Sequence, residues 1–166
     1  YMTPLVDNPN GPPMATAQGA VLVSEGGSTT RYQTLIETSA RIPTGGVLEA
    51  AIGAMVAAGA TRGRIRAAVG PCINPAAYEV GPEFEAEVLA LDPANARFFA
   101  RATAQSRPHF DLPAYVAARL GRAGIGAIER RTPCTDRNES EFFSYRRAQR
   151  LGHPDYGRQI SAIVVA

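Results

Sequence analysis

Two segments carry the residue types from which a small binding pocket can be built. Residues 141–147 read Glu-Phe-Phe-Ser-Tyr-Arg-Arg and combine aromatic rings, a hydroxyl group and two adjacent guanidinium groups. Residues 70–81 read Gly-Pro-Cys-Ile-Asn-Pro-Ala-Ala-Tyr-Glu-Val-Gly and add a thiol, a phenol ring and a carboxylate. Guanidinium groups bind anions through paired hydrogen bonds, and aromatic faces pack on planar rings. Together the segments predict a pocket for an anion beside a flat ring.

The adjacent pair Arg146 and Arg147 is the candidate for the anion site. Side chains alternate in an extended segment, so we expect one of the two to face the pocket and the other to form a surface ion pair. A structural or solvated pairing with Glu139 or Glu141 is the alternative for both. Of the three aromatic residues in the segment, we expect roughly two to pack in the core rather than stack on a ligand.

Segment 70–81 contributes a carboxylate, Glu79, and a thiol, Cys72. Glu79 either caps the helix that begins near Gly81, the interpretation we favour, or hydrogen-bonds a ribose hydroxyl. Cys72 follows a predicted strand, where a nucleophile or a metal ligand can be displayed, although an isolated thiol is usually inert. Cys72 is thus a candidate reactive thiol, and Cys134 is a weaker one.

Residue spacing alone predicts no metal site. The two cysteines form no CxxC pattern, and His109 and His153 lie more than forty positions apart, so both read as structural or exposed. The paired glycines match neither the P-loop nor the dinucleotide pattern. Metal ligands and nucleotide triphosphate binding therefore have no support from local motifs.

Composition limits the classes of partner. The 166 residues fit one domain with a real core, and a net charge of +2 with 19% charged residues gives no sign of nucleic-acid binding. The longest apolar stretch, residues 47–60, is rich in alanine and interrupted by Glu49, so it is too weak for a membrane span. The two isolated thiols favour a reducing, cytoplasmic location, and no basic region precedes a hydrophobic run at the N-terminus, so no export signal is visible.

Apolar patterning predicts an α+β fold in which mixed sheets are layered between helices and functional groups lie on loops at strand ends. Residues 1–18, rich in proline, read as an irregular arm before a single domain at 19–166. The predicted strands lie at residues 19–24, 32–36, 64–69, 125–129 and 159–165. Residues between the last two strands read as a long polar and aromatic loop.

Capping residues and apolar spacing predict three helices. Thr44 caps the first, Pro82 begins the second and Asp111 caps the third. The residues expected to face inward recur at three and four positions: Val47, Leu48, Ile52, Met55 and Val56, then Phe84, Val88 and Leu91, then Leu112, Tyr115, Val116 and Leu120.

Six segments follow one another in the chain, at residues 47–52, 70–81, 109–112 (His-Phe-Asp-Leu), 134–135 (Cys-Thr), 142–147 and 156–159 (Tyr-Gly-Arg-Gln). In this order they resemble the laccase-domain family, also described as multicopper polyphenol oxidase-like proteins and as purine nucleoside phosphorylases. The resemblance covers about residues 46–166 and leaves the N-terminal part unmatched.

The resemblance implies a cytoplasmic protein that phosphorolyses adenosine, inosine or guanosine to a free base and ribose 1-phosphate, with phosphate as co-substrate. Adenosine deamination and methylthioadenosine cleavage are also associated with the family. The resemblance further implies zinc, or copper in older accounts, held by a His, Cys and His set from three upstream motifs. These are a histidine after Gln, an Ala-Asp-Cys and a His-Ala-Gly-Trp-Arg-Gly.

None of these three motifs occurs in the sequence, which contains no tryptophan. Residues 39–46, where the last motif is expected, read Ser-Ala-Arg-Ile-Pro-Thr-Gly-Gly. Such side chains cannot replace a metal-activated water or a thiolate with a histidine. We therefore expect an N-terminal part that is incomplete or altered. The alternative to an enzyme is an inactive or truncated relative that binds a nucleoside or a protein.

An intact pocket would let phosphate attack the anomeric carbon of a nucleoside, with a cation fixing the phosphate and a proton or hydrogen bond stabilising the leaving purine. From chemistry and motif position we assign six candidates and no catalytic residue. Arg146 or Arg147 is the candidate for binding the anion. Tyr78 and Phe143 are the candidates for ring stacking or packing. Glu79 or Ser144 is the candidate for polar contacts to the sugar or the base.

Overall fold

The computed structural model of the protein describes residues 46–157 and the backbone of two earlier strands. The strands are β1 (Ala20–Glu25), β2 (Gln33–Glu37), β3 (Ile65–Val69), β4 (Phe99–Ala100), β5 (His109–Phe110) and β6 (Ala127–Arg130). β1 pairs antiparallel with β2 and β3, and β3 pairs parallel with β6, which gives the order β2-β1-β3-β6. β4 and β5 form a separate antiparallel pair. The predicted α+β class with mixed sheets is confirmed.

The helices of the described residues are α1 (Val47–Ala57), α2 (Pro82–Leu91), α3 (Leu112–Arg122) and α4 (Tyr145–Leu151). The predicted cap of α3 is confirmed, since the Asp111 carboxylate accepts a hydrogen bond from the backbone nitrogen of Ala114 at 2.9 Å. α1 follows Gly46, and its predicted cap, Thr44, lies outside the described residues. Among residues 46–157, no helix combines the length and the apolar character that crossing a membrane requires.

The core forms where α1 and α3 pack against each other and against the sheet. In these two helices the prediction of inward-facing residues is confirmed for Leu48, Ile52, Met55, Leu112, Tyr115, Val116 and Leu120, which are all buried. The prediction for Leu91 is wrong. Its side chain is 55% exposed, because α2 ends there and the chain turns at Asp92 in an extended conformation.

The strand predicted at residues 125–129 begins two residues later, at Ala127. Gly126, just before it, lies so close to the turn at Arg62–Arg64 that an added Cβ would be 1.8 Å from the Gly63 carbonyl oxygen. The chain must therefore pass this turn before β6 pairs with β3. The preceding strand, β3, alternates between buried and exposed positions as predicted, with Arg66 outward.

The long loop predicted after β6 contains a helix, α4. The Ser144 hydroxyl accepts a hydrogen bond from the backbone nitrogen of Arg147 at 3.2 Å, and Gly152 ends the helix with a φ of 71°. The predicted arm at 1–18 and the predicted strand at 159–165 lie outside the described residues. The division into an arm and a domain at 19–166 therefore stays a prediction.

Candidate functional site

Segment 70–81 leaves β3 and folds into a loop that the residues around β5 hold in place. Within the loop, the Asn74 carbonyl accepts a hydrogen bond from the backbone nitrogen of Tyr78 at 3.0 Å. The His109 ring nitrogen Nδ1 lies 2.6 Å from the Pro75 carbonyl oxygen, and the Tyr78 carbonyl accepts from the backbone nitrogen of Phe110 at 3.0 Å. The motif at 109–112 thus supports the loop at 70–81.

The segment from Cys134 onward runs beside this loop. Cys72 and Cys134 face each other in a parallel bridge, and the backbone nitrogen of Thr135 donates to the Cys72 carbonyl at 3.1 Å. The Asn74 side-chain amide donates to the Thr132 carbonyl at 3.2 Å. Motifs that lie about sixty residues apart in sequence are therefore hydrogen-bonded neighbours.

Arg147 holds the segment that begins at Cys134 in its fold. Its Nη1 donates to the carbonyls of Thr135 and Asp136 at 2.8 and 3.0 Å, and its Nη2 donates to the carbonyl of Phe142 at 2.6 Å. The side chain is only 11% exposed. A guanidinium group satisfies several carbonyls at once because its N–H groups form a planar fork. Arg147 is thus a structural clamp as well as a wall of the candidate site.

Arg146 connects α4 to the loop at 70–81. Its Nη1 donates to the Glu79 carbonyl at 2.8 Å, and its guanidinium carbon lies 5.3 Å from the centre of the Tyr78 ring. The expectation that Arg146 and Arg147 alternate in an extended segment is wrong, because both lie in a helix, where neighbours diverge by about 100°. Both guanidinium groups consequently contact the protein.

Glu79 occupies a position that differs from the one we favoured. The backbone of Glu79 pairs with that of His109 in an antiparallel bridge. The half-exposed Glu79 carboxylate lies 3.7 Å from the Arg107 guanidinium. α2 begins after Gly81 without a side-chain cap. The predicted cap is therefore wrong, since the extended backbone at Glu79 keeps its carboxylate away from the helix. A contact with a sugar stays a prediction.

The other candidates divide between packed and exposed positions. The Tyr78 ring is buried against Arg146, and this burial raises the pKa of its phenol, with Arg146 acting in the opposite direction. Ser144 is buried as the cap of α4, whereas Phe143 is 51% exposed. In the aromatic segment Phe142 and Tyr145 are half-buried. Ligand contacts of all these side chains stay predictions.

The loop at 70–81 and the segment from Cys134 to Arg150, called segment 134–150, border an open cleft of about 500 Å³. Its lining residues are Ala76, Ala77, Asp136, Arg137, Glu139, Arg147 and Arg150. Three guanidinium groups and two carboxylates thus surround a volume that suits a small polar molecule. Among the six candidate substrate-binding residues, Arg147 lines this cleft, while Arg146 and Tyr78 do not line it and contact each other beside the loop at 70–81.

Sequence reasoning missed Arg137, Arg150 and Asp136 as members of the site. Arg150 carried one usable signal, because it lies three positions after Arg147 and would share its face in a helix. The Asp136 carboxylate, which is only 4% exposed, accepts hydrogen bonds from Arg150 Nη1 at 3.1 and 3.3 Å. No local signal marked Asp136 or Arg137, since their partners come from the tertiary fold.

A second depression, of about 430 Å³, lies between α1, α2 and α3. Its charged groups are paired with each other: Arg119 binds Glu49, and Arg122 lies 2.8 Å from Asp92. None of the motif segments at 70–81 or 134–150 lines it. The first cleft is accordingly the better candidate site.

Both thiols are buried. Burial raises the pKa of Cys72 from 9.0 to about 12, and the nearby Cys134 and Asp111 add to this effect. The folded protein therefore keeps the Cys72 thiol protonated, while the unfolded chain ionises it near pH 9. It follows that this contribution to stability is complete below pH 9 and is lost as the pH rises from 9 to about 12. The environment opposes a reactive thiolate at Cys72.

We expect the folded protein to resist thiol alkylation. At pH 8 the raised pKa lowers the thiolate fraction of Cys72 roughly 1,000-fold, so iodoacetamide should label it at least about 100-fold more slowly than in urea. Mass spectrometry of a Cys134→Ser variant measures Cys72 alone, and Cys72→Ser gives the matched control. Rapid labelling of Cys72 in the folded protein would contradict the buried placement and restore it as a nucleophile candidate.

The residues described do not fit a metal centre. Within residues 46–157, no group of three or more His, Cys, Asp or Glu side chains is placed to hold a metal ion. The paired thiols lack a third donor, and structural zinc is almost always held by four ligands. The described residues of the candidate site thus provide no ligand set for a metal ion.

The family follows from a comparison of the sequence with family models. Residues 41–166 match the model of the family described as multi-copper polyphenol oxidoreductase laccase. The chain belongs to this laccase-domain family. The predicted resemblance is confirmed, and the match begins slightly before residue 46.

Curated relatives of this laccase-domain chain are purine nucleoside phosphorylases. One, from Rickettsia prowazekii, is 34% identical over 99 residues, which cover 60% of this chain and 41% of the relative. Another, from Streptomyces coelicolor, is 39% identical over 107 residues, which cover 64% of this chain and 42% of the relative. The chain thus aligns with about two fifths of the length of these relatives.

Solved structures of the family share the fold. A Neisseria meningitidis protein superposes with a TM-score of 0.71 and 29% identity over 81% of this chain and 53% of its own. The hypothetical protein YfiH of Bacillus licheniformis has the same TM-score at 21% identity, with 81% and 51% covered. The latter similarity supports the fold alone.

Proposed function

We propose that this laccase-domain protein acts in the cytoplasm on purine nucleosides and binds its substrates in the cleft between segments 70–81 and 134–150. The observation that supports this most directly is the 34% and 39% identity to purine nucleoside phosphorylases. The geometry agrees with it, because residues of the family motifs at 70–81 and 142–147 line one cationic cleft, and the motif at 109–112 supports the loop at 70–81.

The proposed reaction is phosphorolysis of adenosine, inosine or guanosine. A phosphate oxygen bonds to the anomeric carbon as the bond from that carbon to the purine nitrogen breaks. The bonding electron pair leaves with the base, which gains a proton, and ribose 1-phosphate forms. The guanidinium charge in the cleft, including that of Arg147, would hold the phosphate in line, and Arg146 would position the wall that carries Tyr78.

A second candidate function is nucleoside binding without turnover. It is favoured by two observations: the sequence lacks all three metal-ligand motifs of the resemblance, and residues 46–157 supply no metal site. Zinc or copper is thus proposed only through family membership. This candidate shares the cleft with the first and differs in its chemical outcome.

A base-release assay separates the two functions. We expect the purified protein, supplied with zinc, to release free purine from inosine, adenosine or guanosine only when phosphate is present. Arg146→Ala should lower kcat/KM about tenfold, because the wall at Tyr78 loses its anchor, while Arg66→Ala on β3 should not change it. Chromatography of the bases measures both effects, and inosine formed from adenosine would report deamination.

The outcomes that count against each function differ. Nucleoside-dependent thermal stabilisation without base release would reject phosphorolysis and support the binding module. Neither stabilisation nor release with any of the three nucleosides would reject both functions.

A further inference from the structure

Of the two adjacent arginines of the family motif, Arg147 has little free hydrogen-bonding capacity and Arg146 does not line the cleft. Arg147 donates to three carbonyls and lies 3.9 Å from Glu139, and Arg146 donates to the Glu79 carbonyl over the Tyr78 ring. A phosphate that accepted hydrogen bonds from Arg147 would compete with these carbonyls, which would then lose their donors. The Arg147 guanidinium therefore contributes charge to the cleft more readily than new hydrogen bonds.

Two other arginines border the same cleft and retain unused donors. Arg137 is exposed and donates one bond, from Nη2 to the Ala76 carbonyl at 3.1 Å. Arg150 is 57% exposed and uses Nη1 for the Asp136 carboxylate. Within the described part of the chain, the other N–H groups of both side chains have no protein partner, although a guanidinium has five N–H donors.

We infer that Arg137 and Arg150 bind a phosphate group in this cleft, with Arg147 supplying charge behind them. This inference rests on the proposed function and names the anion contacts of the same site. It replaces Arg146 and Arg147 as the hydrogen-bonding groups for phosphate. The hydrogen bond that each guanidinium group already donates to the protein limits the freedom of its side chain. Less conformational entropy is therefore lost on phosphate binding than for a surface arginine without such a bond.

The charge balance of the cleft permits this ligand. Three guanidinium groups face it from the loop after Cys134 and from α4, against the carboxylates of Asp136 and Glu139. Asp136 is buried and bonded to Arg150, and Glu139 is 72% exposed and therefore well solvated. The net positive charge of one favours an anion, and the spare N–H groups fit phosphate oxygens better than a neutral ligand.

The phosphate group has two sources, the inorganic co-substrate or the phosphate of a nucleotide. Titration calorimetry of the whole chain with inorganic phosphate, adenosine 5′-monophosphate and adenosine distinguishes them. Saturable binding of inorganic phosphate identifies the co-substrate, whereas binding of the nucleotide without inorganic phosphate identifies a nucleotide site. Adenosine is the control without phosphate.

The variants must spare the buried Asp136 carboxylate. Arg150→Lys keeps a cation beside it, and Arg137→Gln removes a side chain whose protein partner is a single carbonyl. The double variant should weaken phosphate binding about tenfold, because a lysine and an amide offer fewer donors in the wrong geometry. The matched control Arg66→Ala should bind as the wild type does.

Phosphate binding that is unchanged in the folded double variant, or equally weakened by Arg66→Ala, would overturn the inference. So would the absence of saturable binding to both phosphate ligands. Base release by a double variant that still binds phosphate normally would leave the proposed function standing and remove these two contacts. Phosphate binding that the double variant weakens, in a protein that releases no base, would support these two contacts and reject phosphorolysis.

Discussion

Changing Arg147 to methionine should lower the free energy of unfolding by about 3 kcal/mol. The guanidinium group is nearly buried and donates to the carbonyls of Thr135, Asp136 and Phe142. Methionine keeps much of the length but donates nothing, so three carbonyls lose their partner, and each such loss costs about 1–3 kcal/mol when no water replaces it. Thermal unfolding should shift down by roughly 6–12 °C.

The neighbouring residue provides the control for this prediction. Arg146→Met removes one carbonyl bond and the contact over the Tyr78 ring, which together contribute about 1 kcal/mol. The two variants remove the same side chain from the same helix, so their difference isolates the clamp at Arg147. Equal melting temperatures for the two variants would contradict the clamp.

Changing Phe110 to alanine should cost about 4 kcal/mol of unfolding free energy. This ring is fully buried, and its centre lies 4.8–6.1 Å from the ring centres of Tyr78, Phe84, Phe99 and Tyr115. Its removal leaves a cavity where α2, α3 and the loop at 70–81 meet. Chemical denaturation should show a lower midpoint with an unchanged slope.

Phe143→Ala is the matched control for the same chemical change at an exposed position. Phe143 is 51% exposed and lies against Gly157, so we expect a loss of less than about 1 kcal/mol. A Phe143 variant that loses as much stability as the Phe110 variant would show that the two rings do not differ in burial as described.

Local sequence patterns were sufficient where apolar residues recur at a helical period. The inner faces of α1 and α3 follow the three and four residue spacing, and the Asp111 cap fixes the start of α3. The spacing works because both helices bury one stripe against the sheet. α4 escaped this reasoning, since it is seven residues long, carries three arginines and has Ala148 as its single buried residue. A helix so short is stable mainly through tertiary contacts, here those of Arg147.

The sequence by itself determined the family, the α+β class and two of the segments that border the candidate site, because these follow from residue types and their order along the chain. Only the tertiary structure decided which side chains meet. Arg137 and Ala76 are hydrogen-bonded although they lie 61 residues apart in the chain. Arg146 and Glu79 are likewise hydrogen-bonded at a separation of 67 residues. Contacts of this kind depend on how β3 and β6 place their following loops side by side, which no local pattern encodes.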